Sequence, residues 1–382
     1  MGGSIKKILI VFGTRPEAIK MGPLIHELRK FDQDFLVKVC VTGQHRVMLD
    51  KALKDFDIVP DFDLNLMTTS QNLAHLSGLI LIEIRNILVS MKPDLVLIQG
   101  DTTTTLMTAL ASFYEDVAVA HIEAGLRTFD LRSPFPEELN RQIVSKIAKW
   151  HFTPTKTSQL NLIQENVPAE TIFITGNTIV DSLFWSLNQI AKDPHLKSQI
   201  VDHFEASLPI KLENEKFILV TGHRRENFGA AFEKICFALQ KISLLYPEIH
   251  VIYPVHLNPN VQGPVNKILG HIKNIHLIKP QNYHEFIYLL KYCHFVLTDS
   301  GGIQEEAPSL KKPILLIREK TERLEGIESG VVKLVGTETN KIVESVSKLL
   351  TDANCYNNMI HDINPYGDGK SVQRIIEVLR TI

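Results

Sequence analysis

A chain of 382 residues is long enough for two domains, each with a sizeable core. Lys and Arg total 41 against 43 for Asp and Glu, and the net charge of −2 gives no ground for a nucleic-acid partner or an anionic membrane surface. Cys40, Cys236, Cys293 and Cys355 stand far apart with no Cys-x-x-Cys pair, so neither a disulfide framework nor a thiolate zinc site is indicated.

The opening Met-Gly-Gly-Ser-Ile-Lys-Lys leads straight into an apolar run, without the apolar core or cleavage site of a leader. No uninterrupted apolar stretch reaches bilayer length, so the expectation is a soluble, reduced, cytoplasmic protein without a membrane segment. Lys7–Phe12, Leu36–Val41, Asp94–Ile98, Val117–Ala120 and Thr171–Ile174 are apolar and β-branched and read as strands buried on both faces. Between them Pro16–Lys30 and Asn72–Met91 carry helical periodicity. The alternation restarts at Phe217–Val220, His250–Tyr253, Ile275–Ile278, Phe295–Leu297, Pro313–Ile317 and Val332–Val335. This is the α/β pattern of a doubly wound parallel sheet, run twice. The expected domains are residues 1–176 and 177–365, with charged helical sequence (Ala191–Glu213) leading into the second. A last helix, Gly369–Arg380, follows the turn-rich Asn364-Pro-Tyr-Gly-Asp-Gly369, and the segment 366–382 is expected to pack back on the first domain. Val41-Thr-Gly-Gln-His-Arg46 faintly echoes Val220-Thr-Gly-His-Arg-Arg225, which two similar halves would explain.

Ligands of open α/β sheets bind beyond the carboxyl ends of the strands, and polar motifs cluster at those ends here. Val11-Phe-Gly-Thr-Arg-Pro-Glu-Ala-Ile-Lys20 sets Arg15 and Lys20 near a helix N-terminus that suits an anion, or equally makes an ordinary strand–turn–helix with exposed cations. Gln99-Gly-Asp-Thr-Thr-Thr-Thr105 offers Asp101 beside threonines that suit helix caps. His121-Ile-Glu-Ala-Gly-Leu-Arg-Thr and Ser133-Pro-Phe-Pro-Glu-Glu-Leu-Asn-Arg141 crowd Glu123, Glu137 and Glu138 beside Arg127 and Arg141, a polar site or a set of surface ion pairs. Gly222-His-Arg-Arg-Glu-Asn227 sets the titratable His223 among cations. In Thr298-Asp-Ser-Gly-Gly-Ile-Gln-Glu-Glu-Ala307, Ser300, Gly301 and Gly302 let backbone amides close on a phosphate, and Glu305 or Glu306 is placed to take ribose hydroxyls. There is no Gly-x-Gly-x-x-Gly and no His-Glu-x-x-His; Gly369-Lys370-Ser371 only imitates a P-loop, and Asp61-Phe-Asp63 reads as a solvated edge strand or loop rather than a metal site.

Together these motifs, with Thr321-Glu-Arg323 and Asn364-Pro-Tyr-Gly-Asp-Gly369, resemble the bacterial non-hydrolysing UDP-N-acetylglucosamine 2-epimerases over nearly the whole chain. The resemblance implies two Rossmann-like domains facing a cleft, a GT-B-like arrangement, and a homodimer. It implies interconversion of UDP-N-acetylglucosamine and UDP-N-acetylmannosamine, supplying surface polysaccharide synthesis. The route is expulsion of UDP to 2-acetamidoglucal and re-addition, with no cofactor and no metal. Carried over motif by motif, Asp101, Glu123, Glu137 and His223 form the catalytic set. The sequence does not assign a carboxylate to either face of C2. Arg15, Ser300, Gly301 and Gly302 would hold the phosphates, Glu306 the ribose, and Gln281 and Phe286 the uracil. Lys20 and Arg323 match further binding positions.

Many bacterial relatives use a second UDP-N-acetylglucosamine as activator, and Gln44, Arg224 and His256 match that second site, as does Glu137. Val47 and Ser70 stand where the pattern has a Gln and an Arg, so activation by substrate is expected to be weakened or absent. Leu324 replaces a proline common after Thr-Glu-Arg, and Phe129 a glycine common after Leu-Arg-Thr. A hydrolysing epimerase, releasing N-acetylmannosamine and UDP, is the nearest alternative; a glycosyltransferase and a silent UDP-sugar sensor are others.

Overall fold

The protein is described by a computed structural model over residues 5–43, 46–67, 72–222 and 224–382. The chain divides into two compact units, Met1–Ser182 with Tyr366–Ile382, and Leu183–Pro365.

In the first unit seven strands pair in parallel: β1 (Lys6–Phe12), β2 (Phe35–Val41), β3 (Phe62–Asp63), β4 (Leu95–Gln99), β5 (Ala118–Ile122), β6 (Trp150–Thr153) and β7 (Ile172–Ile174). Their order is β3-β2-β1-β4-β5-β6-β7, so the winding reverses between β1 and β4. At such a reversal the loops leaving two neighbouring strands part and open a crevice. The loops after β1, β4 and β5 therefore lie side by side, with Val11 opposite Ile98 and Gln99 opposite Ile122. The strands are apolar because both faces are covered: Ile8–Phe12 and Leu95–Ile98 are all buried, and on one face Leu9, Val11, Val96 and Ile98 pack with Ile80, Ile84 and Leu88 of the helix Leu73–Met91 and Ala109 of the helix Thr103–Tyr114. Each fully buried aliphatic side chain contributes about 1.5–3 kcal/mol of transfer free energy.

The second unit repeats the design with six parallel strands: β8 (Phe217–Thr221), β9 (His250–Pro254), β10 (Ile275–Ile278), β11 (Phe295–Thr298), β12 (Ile314–Leu316) and β13 (Val332–Leu334). The order β10-β9-β8-β11-β12-β13 reverses between β8 and β11. The helix Ala230–Leu245 buries Phe232, Ile235, Leu239 and Ile242 against Ile218, Val220, Val251 and Tyr253.

Three local expectations need correction. Residues 150–153 form β6, which the sequence hides because its period is broken by His151 and Thr153; both are nonetheless buried. The echo between Val41–Arg46 and Val220–Arg225 does not mark equivalent turns. Strand β8 opens the second sheet as β1 opens the first, so the turn matching Gly222 is Gly13 after β1 and not Gly43 after β2. Finally, Leu73–Met91 has 19 residues and a mean hydropathy of 1.5 over 18 of them, so by length and composition one helix among the described residues is long and apolar enough to cross a membrane. Charged Glu83 and Arg85 hid this in the sequence.

After the second unit the chain re-enters the first. The Tyr366 carbonyl accepts from the Asn177 amide (2.7 Å), and Asp181 accepts from the Ser371 and Val372 amides (3.2 and 3.0 Å) at the start of the helix Ser371–Thr381.

Candidate functional site

Each unit carries a polar cluster at the carboxyl ends of the strands flanking its winding reversal. In the first unit, Gly13 and Thr14 turn the chain from β1 into the helix Arg15–Arg29, whose Pro16 suits the first turn. Arg15 is half-buried there. Lys20, one turn on, is buried against Glu123, which follows β5. Glu123 holds φ +64°, and its Oε2 also accepts from Gln99 Nε2 (3.0 Å) and Asn177 Nδ2 (3.1 Å). Three donors from three segments thus converge on one carboxylate oxygen.

Asp101 follows β4. Thr102 caps the helix Thr103–Tyr114 by accepting from the Thr105 amide, so the threonine keeps the capping role while Asp101 turns elsewhere. Asp101 Oδ2 accepts from Arg141, and its carbonyl from Asn140 Nδ2 (2.8 Å). Arg141 also reaches the fully buried Glu138 (3.1 Å), which accepts from the Thr128 and Phe129 amides and Gln142. Glu137 opens the helix Glu137–Ile147 half-buried, with no side-chain hydrogen bond to any described residue. His121 is buried on β5 and its Nε2–H donates to the Gly100 carbonyl (2.7 Å); burial lowers its pKa to about 3, a fall the Gly100 bond partly offsets. It is therefore neutral and pins the turn that carries Asp101.

In the second unit the Ser300-Gly301-Gly302 turn leaves β11 and opens the helix Gly301–Glu306. A Cβ on Gly301 would lie 2.6 Å from an Arg323 guanidinium nitrogen, so a side chain there would push the guanidinium aside. Arg323 pairs with Glu305 (2.6 Å) and with Glu322, whereas Glu306 accepts from Tyr283 (2.9 Å). The two acids that the sequence left open thus have different partners. Burial would raise the Glu322 pKa, but Arg323, Arg318 and Arg224 overturn that and hold it well below the usual carboxylate range. The Arg224 pKa is itself lowered by burial and by Arg318. The Arg224 amide and Asn227 Nδ2 donate to buried Asp299 (2.8 and 3.2 Å), tying the turn after β8 to that after β11.

Phe286 is half-buried on the helix Tyr283–Tyr292. Gln281, just before that helix, is engaged: its Oε1 accepts from His203 (2.8 Å) and its Nε2 donates to the Lys279 carbonyl. His256 follows β9 half-buried, with Nδ1 accepting from the Asn258 amide (3.1 Å); burial lowers its pKa, and Asp299 acts against the shift. His223, Gln44 and Ser70 lie outside the described residues. Arg127 pairs with another acid: its guanidinium is fully buried in a bidentate pair with Glu165 (2.6 and 2.8 Å), so it holds the fold. The sequence reading missed Glu17, Gln99, Asn177, Arg318 and Glu322. Of these Glu17, Gln99 and Glu322 lay inside quoted motifs, and for Glu17 an acid at the third helical position was the signal.

Two doubly wound units with polar turns at their reversals define a GT-B-like α/β protein of the kind that handles nucleotide sugars. The family model described as UDP-N-acetylglucosamine 2-epimerase matches residues 26–380. The UDP-N-acetylglucosamine 2-epimerase of Escherichia coli (strain K12) is 54% identical over 374 residues, 98% of each chain. The chain belongs to the UDP-N-acetylglucosamine 2-epimerase family. The crystal structure of the Neisseria meningitidis enzyme bound to UDP-GlcNAc superposes with a TM-score of 0.92 at 46% identity, covering 98% of this chain and 100% of that one. The Methanocaldococcus jannaschii enzyme in complex with UDP-GlcNAc and UDP gives 0.83 at 33%, covering 98% and 100%.

Proposed function

We propose that this protein interconverts UDP-N-acetylglucosamine and UDP-N-acetylmannosamine by the non-hydrolysing route, for use in surface polysaccharide synthesis. The observation that carries the reading is the placement of Asp101 and Glu123 after the neighbouring strands β4 and β5, each carboxylate gripped by a buried cation, Arg141 and Lys20. A carboxylate beside a cation is held in one orientation, as a group exchanging a proton with a sugar carbon must be.

In this reading the C1–O bond of the nucleotide sugar breaks first and its electron pair leaves with UDP. Loss of the C2 proton to a carboxylate then closes the double bond of 2-acetamidoglucal. UDP adds back to C1 as a proton reaches the other face of C2. Asp101, Glu123 and Glu137 serve this proton traffic, and His223 stabilises charge on the departing diphosphate. Arg15 with Ser300, Gly301 and Gly302 holds the phosphates, Glu306 the ribose, and Gln281 and Phe286 the uracil; Lys20 and Arg323, which pair with Glu123 and Glu305, are further substrate-binding positions. For Gln281 this means exchanging a partner such as His203 or the Lys279 carbonyl for the base.

The protein is also proposed to be a homodimer. Ile82 and Val89, seven residues apart on one side of the helix Leu73–Met91, and Phe113 and Tyr114 at the end of its neighbour are all exposed, and an apolar face is costly in water. Light scattering on the native chain should give twice the chain mass, and on a Phe113→Glu, Tyr114→Glu double variant the single mass.

The test of the reaction is incubation with UDP-N-acetylglucosamine in D₂O, followed by proton NMR. UDP-N-acetylmannosamine carrying deuterium at C2 is the expected product. Free N-acetylmannosamine with UDP would instead place the protein among hydrolysing enzymes.

A further inference from the structure

Glu17 is a buried acid of the first unit that the reaction does not use, and its carboxylate accepts from two amides and two hydroxyls. Its carboxyl is 2% exposed and lies between two turns. Oε2 accepts from the Gly13 and Thr14 amides (3.0 and 2.8 Å). Oε1 accepts from the Thr102 hydroxyl (2.7 Å), with the Thr105 hydroxyl at 3.2 Å. Thr105 has one hydroxyl proton for this oxygen and for the Gln99 carbonyl (2.8 Å), so Thr102 is the firmer strut.

A capping box requires only the bonds to the first turn of its own helix, and it forms on exposed surfaces. Nothing in capping requires burial, which raises the Glu17 pKa against the opposing bonds from Thr102, Gly13 and Thr14. The second oxygen instead spans 85 residues to the turn after β4. Two helix N-termini, Arg15–Arg29 and Thr103–Tyr114, both present their positive ends to this carboxylate. The residues beside its anchor points are Arg15, next to Thr14, and Asp101, next to Thr102.

We propose that Glu17 is a positioning residue for the reaction: it straps the turn bearing Arg15 to the turn bearing Asp101 and fixes their separation. This rests on the epimerase reading above, in which those two residues meet the diphosphate and the sugar. A small displacement of either turn then costs rate rather than fold.

The test compares Glu17→Ala and Glu17→Gln in the full chain, at a temperature where circular dichroism shows both folded. Alanine removes the strap, and kcat should fall roughly 10- to 100-fold. Glutamine keeps it with one polarity reversed: its carbonyl accepts from Gly13 and Thr14, and its amide donates to Thr102. It should stay within about three-fold of the native kcat. A folded alanine variant with native kcat overturns the proposal, as does a glutamine variant that falls as far as alanine. If alanine does not fold, Thr102→Ala removes the 2.7 Å strut together with the cap on the Thr105 amide while Thr102→Ser keeps both, and an unchanged kcat in Thr102→Ala overturns it. If the native chain does not turn over, the epimerase reading fails by itself. Amide exchange then decides the strap: the Thr105 amide, held on Thr102 in the turn after β4, should exchange at least about ten-fold faster in Glu17→Ala, and equal rates overturn it.

Discussion

Arg141 grips one oxygen of Asp101 from two sides, with Nε at 2.9 Å and a terminal nitrogen at 2.7 Å. Its other terminal nitrogen bonds Glu138, whose side chain is fully buried. Removing the guanidinium leaves that acid buried without its cation. Arg141→Met should therefore lower unfolding free energy by about 3–5 kcal/mol. Arg141→Lys, which keeps the charge but not the fork, should fall between. Urea unfolding monitored by fluorescence measures both.

Gly301 and Gly302 sit side by side but meet different surroundings. A Cβ at Gly301 would collide with Arg323, whereas at Gly302 the nearest atom is 4.0 Å away. Gly301→Ala should displace Arg323 and weaken UDP binding by roughly ten-fold or more. The alanine at Gly302 should cost less. Calorimetric titration with UDP separates the two, and equal losses would show that the guanidinium is not what the glycine accommodates.

Phe129 holds φ +61° with its ring 62% exposed, a left-handed backbone that costs a side-chain-bearing residue about 1–2 kcal/mol. The Phe129→Gly change relieves that strain, while the greater freedom of glycine in the unfolded chain returns about 0.4–1 kcal/mol of it. The melting temperature should rise by a few degrees (about 1 kcal/mol corresponds to a few degrees). A fall would mean that the ring packs on something in solution.

His121 titrates in the folded chain near 3, pushed down mainly by burial, against about 6.5 when unfolded. Between these values the unfolded chain binds the extra proton. Its contribution to stability is thus complete above pH 6.5 and is lost as the pH falls toward 3. His121→Gln keeps a donor for the Gly100 carbonyl but cannot titrate. The slope of unfolding free energy between pH 6.5 and 4 should be shallower in that variant.

Val47 is 71% exposed and brings neither charge nor amide to the position it occupies. UDP-N-acetylmannosamine alone should therefore react without a lag. A reaction that waits for added UDP-N-acetylglucosamine would show that Gln44, Arg224 and His256 suffice for an activating site.

The parallel sheets were legible because burial on both faces writes itself as runs such as Ile8–Phe12 and Leu95–Ile98. Strand β6 was not, since His151 is buried by its neighbours and not by its own polarity. The turns bearing Arg15, Asp101 and Glu123 were legible as polar punctuation after those runs. Their mutual grip was not: Arg141 meets Asp101 across 40 residues and Asn177 meets Glu123 across 54, and no local pattern records such pairings.

The return of Tyr366–Ile382 to the first unit has a consequence for synthesis. A nascent chain that has reached Pro365 holds every residue of its second unit, yet its first still lacks the helix that bonds Asp181 and lays the Leu379 carbonyl on Lys6. The half begun earliest is finished last. Its apolar seat for Val372, Ile375, Ile376 and Leu379 stays uncovered through the translation of the other half, the interval in which a ribosome-bound chaperone would have most to hold.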